Sequence, residues 1–174
     1  MNYKLQTLFE DLEKQRLQLL NDVKQQPEKF DLKPDKKKWS IREILAHLVT
    51  AEKLTVQYIA KKIQGIDQAG DSGLLEEIKM IVLKVSQRLP LRFTAPSAVV
   101  AATPSYPSID QLISDWDLAR ANFRRLLEQV KDDQLKRKIY KHIVAGRLNI
   151  FHAVLFSREH IAHHQPQINR ILKS

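Results

Sequence analysis

The chain contains no cysteine. That excludes disulfides, thiolate metal ligands and a nucleophilic thiol, so any metal or covalent chemistry must use other side chains. Glycine is scarce, at four of 174 residues, and together with 43% hydrophobic residues this suits a compact helical chain better than a β-sandwich or a disordered one. No run approaches the roughly 20 apolar residues needed to cross a bilayer, and no apolar stretch follows a basic start. The expectation is a soluble, cytoplasmic protein of one domain, residues 1–174, long enough to close a core without crosslinks.

Acidic residues are outnumbered, which leaves a net charge of +9. Attraction to nucleic-acid phosphate needs those charges clustered on one surface. Here the clusters are short: Lys36-Lys37-Lys38, Lys136-Arg137-Lys138 with Lys141, and Arg124-Arg125. Neither a zinc finger nor the interleaving of aromatic and basic residues that stacks bases is present. A solvated basic surface is expected, with no nucleic-acid partner.

Four long amphipathic helices emerge from the apolar spacing. The first carries Leu5, Leu8, Phe9, Leu12, Leu19, Leu20 and Val23, with Arg16 expected at the stripe's edge, its stem on the core and its charge in water. The second starts at a Ser40/Glu43 capping box, has Trp39 before it as a hydrophobic staple, and runs to about residue 64. Ser108 with Gln111 begins the third, which carries Ile109, Leu112, Trp116, Phe123 and Leu127. Asn149 is suited to cap the last, which carries Ile150, Val154, Ile161 and Ile168, and in which Pro166 predicts a kink.

Between the second and third lies a long crossover with one more helix, whose expected apolar face is Leu74, Leu75, Ile78, Ile81, Val82, Val85 and Leu89. The stretch from Leu91 to Tyr106 has neither strand period nor caps, and reads as an apolar loop that covers a pocket or fills a groove. The predicted fold is all-α: a four-helix bundle whose crossover carries this extra helix.

Histidines supply the candidate chemistry. On a helix, His160 and His164 sit one turn apart on one face, where two imidazoles reach the same ion. His47, far upstream and with its register set by the Ser40 cap, is the third candidate. Ala153 and Ser157 leave space below His160. His163 falls one residue off the ligand face, Glu159 and His163 are candidates for groups behind the ligands, and His142 and His152 read as structural or exposed, with approach to the site from its loop left open for His142.

Trp39-Ser40-Ile41-Arg42-Glu43-Ile44-Leu45-Ala46-His47-Leu48, His142 with Gly146-Arg147-Leu148, and His160-x-x-His163-His164-x-x-Gln167-Ile168 together resemble the DinB-like superfamily of metal-binding four-helix bundles. The resemblance covers nearly the whole chain. It implies a divalent ion on His47, His160 and His164, and it departs from the family at Ile143, where a proline often follows the histidine. It also implies relatives that act as thiol S-transferases, in which a metal holds a low-molecular-weight thiol as its thiolate, and a tendency to form homodimers. The exposed edges of the first and third long helices and the stretch from Leu91 to Tyr106 offer surface for such pairing.

Three neutral imidazoles without a carboxylate or thiolate leave coordination positions for water or substrate, as in catalytic zinc sites. Zinc and nickel both suit imidazole. A ferritin-like di-iron centre is disfavoured, because such centres use Glu-x-x-His pairs and no glutamate here has a histidine three residues later. Two classes of function follow: a metal-dependent transferase or hydrolase acting on a small molecule, or a non-catalytic, stress-associated binding protein that carries a metal.

Overall fold

Local capping chemistry sets where the helices begin. Asn2 accepts from the Lys4 amide to open α1, Tyr3–Lys24. Ser40 and Glu43 close a reciprocal capping box on α2, Ile41–Ile63, with Glu43 N donating to Ser40 Oγ at 3.3 Å and Ser40 N to Glu43 Oε2 at 2.8 Å. Helix α3 spans Leu74–Arg88 and α4 spans Ser97–Ala102. Ser108 accepts from Gln111 N to start α5, Ile109–Gln129. Asn149 accepts from His152 N to start α6, Ile150–Leu172, and its amide also donates to Ser72 Oγ, so the cap is pinned to the crossover. The computed structural model describes residues 1–36, 38–88 and 97–174, Ala98 by its backbone only.

The architecture is all-α in its main elements, as expected. A small antiparallel hairpin, β1 Tyr140–His142 and β2 Gly146–Leu148, is added in a stretch that reads from the sequence as a basic loop. Gly146 allows the turn because it holds φ at +76°, a region that side chains rarely adopt. Helix α2 packs against both α5 and α6, α1 packs on α6, and the hairpin leans on α2 and α6. The core they share includes Leu5, Leu12, Ile44, Leu45, Ile59, Trp116, Phe123, Leu127 and Ile161.

Several expectations are corrected. Arg16 is buried, guanidinium included: its Nη1 donates to Asp117 at 2.6 Å and its Nη2 to Glu13 at 2.6 Å. Two carboxylates replace the water its charge would otherwise need. Residues from Ser97 to Ala102, expected as loop, form the short helix α4 against α2. The remainder of the proposed apolar cover before Ser97, with Leu89 and Pro90, lies outside the described residues. Pro166 lies inside α6, which continues beyond it to Leu172; the kink expected there is a separate matter of axis direction.

The largest correction concerns α3. It is a helix where expected, but it buries Glu76, Met80 and Leu83 and leaves Leu74, Leu75, Ile78, Ile81, Val82 and Val85 exposed. The inward face docks onto α6. Glu159 of α6 is fully buried and accepts from Arg88 Nε at 2.7 Å, while His163 Nδ1 lies 2.8 Å from the Gln87 carbonyl oxygen.

A candidate metal centre

Helices α2 and α6 bring the three candidate histidines together. His47 stands on the second turn of α2, and the capping box that fixes the start of that helix also fixes the azimuth of the ring. His160 and His164 follow one another on α6. The Nε2 atoms of His47 and His160 lie 3.1 Å apart, and one nitrogen from each of the three rings falls within 4.8 Å of the others. Tetrahedral ligands held 2.0–2.1 Å from one ion are about 3.3–3.4 Å apart; the His47–His160 pair is already that close, and the rings together form a group that could hold an ion.

Electrostatics keep the rings in the form that ligates. Burial, helped by the neighbouring His163, pushes His47 down to about 4. Burial and the neighbouring His47 push His164 down to about 3, and burial with the other imidazoles holds His160 well below the ordinary value. All three are therefore neutral at physiological pH, with a lone pair to give. His164 Nδ1 lies 3.1 Å from Gln167 Oε1. With its proton on Nδ1, donated to that amide oxygen, the ring has Nε2 bare, the pattern by which metal-binding imidazoles are oriented.

The walls include Trp39, which the sequence assigned elsewhere, and Phe156. Trp39, expected as a staple on the first turn of α2, stacks on His164 with centroids 6.3 Å apart and tilts against His47 at 5.2 Å. Phe156 stacks on His160 at 5.3 Å and touches His142 at 4.5 Å. His142 is buried, and its Nδ1 accepts from the Val144 and Ala145 amides at 3.2 and 3.1 Å, so it shapes the hairpin turn. His152 is buried beside Glu77. Glu159 faces Arg88 and Arg158, and so ties helices together and takes no place behind the ligands. Gln167 was legible as the residue three after His164; nothing local marked Trp39 or Phe156 as walls.

A family model, the DinB superfamily, matches residues 8–168. The chain belongs to the DinB superfamily. An uncharacterized Bacillus subtilis protein, YuaE, is 25% identical over 157 residues, covering 90% of this chain and 91% of that one. No solved structure gives a significant match. This DinB-superfamily chain therefore carries a group of three histidines that could hold a metal ion, and no described helix is long and apolar enough to cross a membrane.

Proposed function

We propose that this DinB-superfamily protein binds one divalent ion, zinc or nickel, through His47, His160 and His164, and uses it in a transfer or hydrolysis reaction on a small molecule. The observation that carries this is the meeting of three neutral imidazoles from two helices, with no carboxylate or thiolate among them. A set of that kind leaves coordination positions for a substrate atom. A bound ion there supplies activation of a thiol or a water by lowering its pKa. With no cysteine in the chain, the thiol comes from outside, and thiol S-transfer is the leading reaction class.

The protein's own residues do the positioning. Gln167 orients His164, Trp39 and Phe156 keep the rings from turning, and α2 and α6 set the distance between ligands. We read the four long helices as a cytoplasmic four-helix bundle of one domain with α3 in its crossover. The same reading places a symmetric homodimer on the exposed face of α3. Its two ends differ in charge, Glu77 near the start and Lys84 near the end, both exposed. Antiparallel pairing about Ile81 brings each Glu77 toward its partner's Lys84 and covers both apolar stripes.

Conjugation of low-molecular-weight thiols to a chloro-aromatic or epoxide, with apo, zinc-loaded and nickel-loaded protein compared, tests the reaction. Turnover should need the ion and should be lost in His160→Ala. Turnover that survives chelation and that substitution removes the proposal. One other reading is a non-catalytic protein that carries the metal and binds a small molecule. Tight ligand binding with no turnover of any thiol would select it.

A further inference from the structure

Next to the histidines, the interior holds a polar centre that the metal reading does not use. Glu52 of α2 is 5% exposed. Its Oε2 accepts from Trp116 Nε1 at 3.2 Å and from Arg120 Nη2 at 2.8 Å. Its other oxygen, Oε1, and Arg120 Nη1 are both buried and meet no hydrogen-bond partner among the described residues. A buried charged group with an unmatched oxygen is costly, and such groups are ordinarily satisfied by an internal water. Glu52 lines the cavity of about 10 Å³ that is also lined by Thr55, Ser157 and His160, about the room of one water.

With Nε2 of His47 and Nε2 of His160 at 3.1 Å, one nitrogen carries the proton and the other is bare, since two lone pairs or two N–H groups would repel. An acceptor on the far side of one ring decides which. We infer that a water held by Glu52 Oε1 accepts from His160 Nδ1–H, so that Glu52 is a positioning residue fixing the His160 tautomer with Nε2 bare. His47 then donates from its Nε2 to His160 in the metal-free protein. The consequence for metal affinity rests on the metal-site reading above, because the bare Nε2 is the atom that ligates; the tautomer itself does not.

Substitution Glu52→Gln separates the two oxygens. Trp116 and Arg120 both donate to the Oε2 position, so the amide places its oxygen there and turns an NH₂ toward the cavity, where an acceptor is needed. Long-range ¹H–¹⁵N NMR of metal-free, ¹⁵N-histidine-labelled protein should show His160 protonated on Nδ1 in the wild type and shifted toward Nε2 in Glu52→Gln. Trp116→Phe, which removes a donor to Oε2 alone, should leave the tautomer unchanged. Zinc affinity should fall about 10- to 100-fold in Glu52→Gln and hold in Trp116→Phe. Ala51→Val, which narrows the same cavity, carries the same test if Glu52→Gln does not fold. An Nε2–H tautomer in the wild type, one tautomer shared by wild type and variant, or equal effects of Glu52→Gln and Trp116→Phe overturns the inference. Expected tautomers in a wild type that binds no zinc would remove the metal reading and leave the Glu52 bridge standing.

Discussion

His47 and His160 face one another through their Nε2 atoms at 3.1 Å although 113 residues separate them. If that meeting serves a metal, one ion should bind per chain. Protein purified without an affinity tag should show it by elemental analysis, and His47→Ala, His160→Ala and His164→Ala should each weaken it tenfold or more. Full retention in the triple substitution removes the site. Trp116→Phe leaves Trp39 as the remaining tryptophan of the two in the sequence. Because Trp39 lies against His47 and His164, nickel should quench its fluorescence and saturate at one equivalent; unchanged emission at saturating nickel would count against the site.

Acid should destabilise the metal-free protein well above the range in which carboxylates titrate. His47 and His142 stand at about 4 and His164 at about 3 in the folded protein, all depressed by burial, against about 6.5 when unfolded. The unfolded chain therefore takes up protons first as pH falls. The neutral rings favour the folded state above about pH 6.5, and that advantage shrinks steadily toward pH 4, by roughly 2–3 kcal/mol for each group. Urea unfolding across pH 4–8 measures it, and a flat profile from pH 7 to 5 would contradict the burial of these rings.

Arg120 and Glu52 form an ion pair in which both partners are nearly inaccessible, at 2.8 Å. Burial pushes the Glu52 carboxyl up, and Arg120 opposes it. Removing the guanidinium strands a buried carboxylate, so Arg120→Leu should cost about 3–5 kcal/mol in chemical denaturation. The double substitution Arg120→Leu with Glu52→Leu should recover most of that. A single substitution costing under about 1 kcal/mol would show that water reaches the pair.

The exposed stripe on α3 makes a prediction about mass. Analytical ultracentrifugation at micromolar concentration should give a dimer, and Ile78→Glu with Val82→Glu should convert it to a monomer without loss of helix content. Swapping the charges, Glu77→Lys with Lys84→Glu, should preserve the antiparallel pair, whereas Glu77→Lys alone should weaken it. A wild type that is monomeric throughout would leave this face without a partner copy.

Much of this was written locally in the chain. Ser40, Glu43, Ser108 and Asn149 announce helix starts because a cap needs only a side chain and an amide two or three residues on. His160 and His164 could be paired from their spacing, which a helix converts directly into a shared face. What could not be read locally depends on which surfaces meet. His47 reaches the pair because α2 packs on α6. Arg16 is buried because Asp117, on another helix, supplies an anion. The face of α3 could not be read locally because an apolar stripe says only that something should cover it; which side turns inward depends on packing against α6, where Arg88 meets the buried Glu159. The hairpin's strands, three residues each, are too short to set a period of their own, and only their pairing with one another makes them strands.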